Sequence, residues 1–431
     1  MVREPGSAKL EEARKSPHRI ARDWKRWLRL RFEAHQVSRY AWRMDFSLGS
    51  ELEQIRHEAR RLLSPFDDDY WREHDEKHEF PWAFYNAFAE QGWIGIMVPE
   101  EYGGAGMGLM DAAVLLGTVG HSAGVQNAAS TLHLSIFGMG PVIHHGSEEL
   151  KRRYLPATAS GELHVSFGVT EDDAGTDTSR IRTFARRDGK GWIVNGKKIW
   201  NTKAQQASKC LLLARTTPRE ECAKPLQGMT LFLIDLDPEH VEIRPIDKCG
   251  RNAVNSNEIF IHDLPVEEVD VVGEVGRGFH CLLDGLNPER IVLAAESIGI
   301  GRQALDKAVH YAREREVFGR PIGMNQAIAH PLADSYSELE AAELLWQKAA
   351  WAFDHGLEVG ALANMAKLRA SEASFRACDR AVQTFGGMGY AKECNVERYW
   401  RESRMSRIAP ISNEMILNFV SEHVLGLPRS Y

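Results

Sequence analysis

Residues 191–202 read GWIVNGKKIWNT, and the period of that stretch decides what lies in the middle of the chain. β-branched and aromatic residues gather in two short runs, GWIV and KKIW, split by Asn195-Gly196. Such runs suit a pleated, half-buried surface. Asn-Gly favours the positive φ angles of a tight hairpin turn, so the pair predicts a turn between two strands. The tetrapeptide DGKG just before it, residues 188–191, reads as another hairpin turn. Comparable runs recur from 163 to 275: LHVSFGV, RTFARR, KCLLLART, MTLFLI, VEIRPI and NEIFIHD. No helical pattern interrupts them, so the region is expected to be an antiparallel β domain, a barrel or sandwich, rather than a βαβ sheet.

On both sides of this region the period becomes helical. Residues 44–162 carry ELEQIRHEARRLL, FPWAFYNAFAEQGWIGI and DAAVLLGTVGHSAG, each with apolar residues three and four apart. Residues 276–431 open a helix at Asn287-Pro288-Glu289, whose apolar face continues through Ile298, Leu305, Val309 and Ala312. Three further helices are expected at 325–356, 358–386 and 411–424, arranged as a bundle. The fold class is therefore α+β multidomain: an N-terminal helical domain, a middle β domain and a C-terminal helical bundle.

Residues 1–43 stand apart. They hold 12 Lys and Arg against 5 Asp and Glu, and HRIARDWKRWLRLRF has the spacing of a basic amphipathic helix. The alternative is a disordered tail. The whole chain has 431 residues and a net charge of −7, which gives no footprint for nucleic acid. No apolar run approaches the ~18 residues that span a bilayer. Six scattered cysteines without a CxxC pair read as reduced thiols, which points to a cytoplasmic protein. No HExxH is present, and no metal site is expected.

Several residues carry candidate chemistry. Glu289 follows Asn-Pro, so it reads either as a first-turn acid that suits the positive end of a helix or as a base beside the apolar run IVLAA. Thr170 and Thr202 offer hydroxyls and Trp200 an indole face, a set that suits a flat, hydrogen-bonding ring but is also common at strand ends. Arg315 suits a phosphate, and Gln383, Gly386 and Gly387 would let a backbone approach closely. The plain readings are a solvated arginine and a glycine pair that ends a helix.

Taken in order, WIGIMVPEEYGGAGMG, FGVTEDDAGTD, GWIVNGKKIWNT, YAREREVFGRPIG, AVQTFGGMGY and ISNEM make the chain resemble the acyl-CoA dehydrogenase family from Met44 to Leu427. The resemblance implies one FAD per subunit of a homotetramer, an acyl-CoA substrate and an electron-transfer flavoprotein as acceptor. It places Phe167, Val169, Thr170, Trp200 and Thr202 around the flavin ring. It sends Arg315, Phe318, Gln326, Gln383, Gly386 and Gly387 to the FAD of a neighbouring subunit, and Ser412 and Glu414 to the adenosine part. Gly175, Thr176, Asn287 and Arg290 match positions along the substrate's thioester arm. Most members carry the catalytic carboxylate in a C-terminal segment that is IAPIS here, with Pro410 at the base position. A minority branch carries it on the preceding helix, where this chain has Glu289. The implied reaction is α,β-dehydrogenation with Glu289 as base. The same scaffold also supports a flavin oxidase or monooxygenase, or a non-catalytic FAD- or CoA-binding homologue.

Overall fold

The computed structural model describes residues 48–430; the expected basic helix of residues 1–43 lies outside them. Seven helices come first: α1 Ser50–Leu63, α2 Asp68–Lys77, α3 Trp82–Ala89, α4 Leu109–Gly120, α5 Val125–Phe137, α6 Gly140–His145 and α7 Glu148–Ala159. Strands follow: β1 Val165–Gly168, β2 Phe184–Asp188, β3 Gly191–Thr202, β4 Lys209–Arg215, β5 Met229–Asp235, β6 Val241–Pro245, β7 Ser256–Val266 and β8 Val271–Val272. Then come α8 Gly278–Glu314, a two-residue ribbon of β9 Glu316–Val317 and β10 Arg320–Pro321, α9 Gln326–Asp354, α10 Gly360–Phe385, α11 Val396–Ser403 and α12 Asn413–Phe419.

The middle strands form one eight-stranded sheet in the order β6-β7-β3-β2-β4-β5-β8, with β1 beside β4. It is antiparallel except where β1 and β2 meet β4 in parallel. Every residue of β4 is buried, because alternate side chains enter two different cores. Leu211 and Leu213 join Leu231 and Leu233 against Val142, Leu150 and Leu155 of the helices and Leu282 of α8. Cys210, Leu212 and Ala214 join Phe232, Val194, Ile259 and Ile261, so the far face of the sheet curls onto itself.

Two sequence expectations change. Asn195-Gly196 makes no hairpin: β3 runs straight through it, with a register shift against β7 between Val194 and Gly196. The dipeptide serves a bulge instead. Gly196 has φ 157°, and a Cβ there would come 2.4 Å from Thr183 Oγ1. Asn195 is fixed by a reciprocal pair with Asp263, donating from Nδ2 to its carboxylate at 2.8 Å and accepting from its N–H at 2.9 Å.

Nor does a helix begin at Asn287. It begins nine residues earlier, at Gly278, and passes through Pro288. Proline removes one backbone donor there, a local cost. Tertiary packing overrides it, because Cys281 and Leu282 fill the core between helices and sheet. At 37 residues α8 is about 55 Å long. It crosses α4 in backbone contact: a Cβ on Gly299 would lie 2.2 Å from Gly117 O, and one on Gly120 would lie 2.6 Å from Glu296 O. The C-terminal helices fall at or near their expected places, and α12 continues through one π turn, Val420–Val424. Helix α11 was not anticipated.

Candidate active site

The ends of β1 and β3 are laced together. Asn201 Nδ2 donates to Phe167 O at 2.9 Å, Ser166 Oγ to Thr202 O at 2.8 Å, and Ile199 N to Thr170 O at 2.9 Å. The buried Lys198 ammonium donates to Val169 O at 3.0 Å and to the Glu171 carboxylate at 2.8 Å. This lacing brings Phe167, Val169, Thr170, Trp200 and Thr202 to one edge of the sheet. Trp200 sits in a second β3 irregularity, with φ 66° and 54% of its surface exposed. A left-handed conformation is costly for a bulky residue and is held only where surrounding structure enforces it. The indole is thus presented to solvent at the end of β3, two residues before Thr202.

Beyond Thr202 the site becomes charged. Arg251 Nη2 donates to Ser256 Oγ at 2.7 Å and reaches Thr202 Oγ1 at 3.4 Å. Desolvation pulls its guanidinium down to about 10, against the opposing charges of Glu402 and Glu296. The segment carrying Arg251 is pinned from below. Ala253 N donates to Asn127 Oδ1 at 3.0 Å and Asn252 N to Asp75 at 3.1 Å, while Asn127 itself donates to Glu402 from N at 2.8 Å and Nδ2 at 2.7 Å.

Glu289 lies three turns inside α8, which removes the reading as a first-turn helix acid. Its carboxylate stands 3.7 Å from His133 Nε2 on α5 and keeps 28% of its side-chain surface open. His133 Nδ1 donates to Glu296 Oε1 at 2.7 Å, two turns further along α8. Glu296 is fully buried, and its Oε2 has no partner. Burial alone would lower the His133 pKa. The Glu296 charge and the two carboxylate contacts overcome it and push the imidazole up to about 10. His133 is thus set between two carboxylates that favour its protonated form.

Arg290 is buried, donates to Asn287 Oδ1 at 2.8 Å, and leaves Nε without a partner. Desolvation lowers its pKa. Near Pro410, the buried Lys367 ammonium donates to Ile411 O at 2.6 Å and Asn413 Oδ1 at 2.9 Å, which fixes the loop. Ser412 caps α12 by accepting from Met415 N at 3.3 Å, and Glu414 lies in the first turn.

Gly175 and Thr176 are exposed in the loop between β1 and β2. The acids before them are tied down: Asp172 to Lys197 at 2.8 Å, Asp173 to Arg182 at 3.5 Å. A second cluster gathers elsewhere. Tyr311 of α8 stacks on Phe385 of α10 at 4.1 Å between centroids, which ties the end carrying Arg315 to that carrying Gln383, Gly386 and Gly387. Phe318, on the adjoining ribbon, is fully exposed, and Gln326 opens α9. No contact among the described residues joins this cluster to Trp200. A Cβ on Gly387 would meet nothing within 4 Å in this chain.

His133, Glu296 and Arg251 were not found by sequence reading. They are 118 and 45 residues apart at the nearest and meet only through the fold. The one visible signal was Glu296, a lone acid inside the apolar run IVLAAESIGIG and seven residues after Glu289.

Three family models match in order: acyl-CoA dehydrogenase N-terminal domain over residues 49–162, middle domain over 166–264 and C-terminal domain over 276–425. Acyl-CoA dehydrogenase FadE12 of Mycobacterium tuberculosis is 37% identical over 394 residues, covering 90% of this chain and 99% of its own. The butyryl-CoA dehydrogenase structure from Megasphaera elsdenii superposes with a TM-score of 0.84 at 28% identity, covering 89% of this chain and all of its own. The FAD complex of PigA gives 0.84 at 27% identity, with 89% of this chain and all of PigA covered.

Proposed function

This chain belongs to the acyl-CoA dehydrogenase family, and we propose that it oxidises the Cα–Cβ bond of an acyl-CoA thioester with FAD, using Glu289 as the base. The observation that carries the reading is the placement of Glu289. It is an open carboxylate in mid-helix, within ion-pair reach of His133, which is itself bonded to the buried Glu296. Pro410, at the alternative position, has no side chain that accepts a proton.

Bound FAD would supply the two-electron oxidant, taking a hydride from Cβ. The chain's own residues do the rest. Glu289 takes the proton from Cα, the Cα–H electron pair becomes the new π bond, and the Cβ–H bond leaves with its pair. Trp200 would cover one ring face, and Thr170 and Thr202 would donate to its polar edge, with Phe167 and Val169 as apolar wall. Gly175, Thr176 and Asn287 would line the thioester arm. Arg290, buried next to the base, would keep positive charge behind the carboxylate. Arg315, Phe318, Gln326, Gln383, Gly386 and Gly387 would meet the FAD of a neighbouring subunit in a homotetramer, with Ser412 and Glu414 at its adenosine end. The bare surface over Phe318 and Gly387 supports that assignment. An electron-transfer flavoprotein would reoxidise the enzyme. Among the described residues no helix is long and apolar enough to cross a membrane.

Anaerobic mixing of the flavin-loaded protein with straight, branched and cyclic acyl-CoA thioesters tests this. Bleaching of the flavin band by at least one thioester, with slow recovery in air, is expected. Rapid recovery in air would replace the dehydrogenase reading with an oxidase, and no bleaching by any thioester would end it.

A further inference from the structure

Helix α8 carries two acids on one face, Glu289 and Glu296, about 10 Å apart along the axis. His133 of α5 fills the space between them. Its ring makes a 2.7 Å hydrogen bond to Glu296 and a 3.7 Å ion-pair contact to Glu289. Glu296 cannot swing away: it is fully buried where α8 touches the backbone of α4 at Gly120. The ring is further held by Phe137, one turn on, at 5.5 Å between centroids. Glu289, by contrast, keeps an open side. One carboxylate is thus an anchor and the other is left partly open.

We propose that His133 is a positioning residue for Glu289: anchored by Glu296, its ring fixes the Glu289 carboxylate in place. This rests on Glu289 being the base. An ion-pair partner limits the rotamers of a glutamate, and orientation of the acceptor is a large part of proton-transfer rate. The surrounding charges agree with the assignment. From α8 come Glu289 and Glu296, both acidic. From the segment before β7 comes Arg251, which faces Glu296 and Glu402. Asp75 of α2 and Glu402 of α11 reach α5 through Asn127, six residues before His133. Lys203 meets α5 at Ser135 and has no carboxylate partner among the described residues. His133 is the cation that stands between the two α8 acids.

The test uses flavin-loaded wild type, His133→Gln, Glu296→Gln and Glu289→Gln, each incubated in D₂O with short and long β-thia acyl-CoA thioesters. These have an acidic Cα–H but no hydride to lose, so Cα deuteration reports proton abstraction alone. Wild type is expected to exchange and Glu289→Gln to be silent. His133→Gln should keep its flavin but exchange about 10- to 100-fold more slowly. Glu296→Gln should acquire a new falling limb on the alkaline side, as an imidazolium without its anchor loses its proton. If His133→Gln keeps the wild-type rate while Glu289→Gln is silent, the positioning role is wrong and the base assignment stands. If Glu289→Gln exchanges like wild type, the base assignment fails first. Should His133→Gln lose its flavin, Glu296→Gln decides: an unchanged profile up to about pH 10 overturns the proposal.

Discussion

Two places on this chain stand where a catalytic carboxylate is to be sought: Glu289 on α8 and Pro410 in the loop before α12. Their surroundings differ in kind. Glu289 has an open side, a cationic neighbour in His133 and a buried second acid in Glu296. The Pro410 loop is held at Ile411 O by Lys367, a buried ammonium that desolvation lowers to about 8, and leads into a helix capped by Ser412. One place is built to carry a charge that changes partner, the other to fix a backbone. The difference teaches that a cationic neighbour and an open side set one position apart from the other more clearly than its place along the chain does.

The comparison breaks most sharply at the two residues themselves. Glu289→Gln is expected to slow anaerobic flavin reduction by about 10³-fold, the scale of a positioned general base, while its flavin content stays normal. Pro410→Ala should leave that rate within the same order of magnitude. Stopped-flow absorbance checks both, and a larger loss at Pro410 would reverse the comparison. Next in size is the sheet edge. Trp200→Ala is expected to weaken FAD binding about five- to tenfold, from the loss of roughly 1 kcal/mol of ring contact, as read by fluorescence titration of the deflavinated protein.

The smallest effects are in stability, and two buried cations near α5 should act with opposite sign. His133 is held at about 10, above its ordinary 6.5. The folded state therefore binds more protons than the unfolded between those values. Its contribution is whole below about pH 6.5 and is lost as pH rises through about 10, by at most about 1.4 kcal/mol per pH unit. Lys203 is depressed by desolvation to about 7 from 10.5. There the unfolded state binds more protons, so its cost is full below about pH 7 and relieved as pH rises toward 10.5. Thermal midpoints across pH 6 to 10, roughly, should fall less steeply for His133→Gln than for wild type and more steeply for Lys203→Met. Parallel curves for all three proteins would show that neither group titrates as its surroundings dictate.

Much of the architecture was legible because periodicity reports burial. The strands of the middle region announced themselves by composition, and α9 and α10 ended within a few residues of their expected bounds. Asn195-Gly196 misled because the dipeptide supplies the same backbone freedom to a bulge as to a turn, and only the partner strand decides between them. Asn287-Pro288-Glu289 misled because local capping chemistry is worth about 1 kcal/mol, while burying Cys281 and Leu282 against the sheet is worth several times that. The site was legible in the same uneven way. Phe167 lies on β1, Thr170 just past it, and Trp200 and Thr202 on β3, and bonds between those two segments draw them together. His133, Glu296 and Arg251 carry no motif: they lie on α5, on α8 and in the segment before β7, and only the packing of those elements brings them near one another.

The central claim is that Glu289 removes the Cα proton. Deuterium wash-in at Cα of a β-thia acyl-CoA, followed by proton NMR for wild type and Glu289→Gln, tests it without any dependence on hydride transfer. The account predicts exchange by wild type and none above the buffer rate by the variant at equal flavin content. Exchange by Glu289→Gln at the wild-type rate would contradict it.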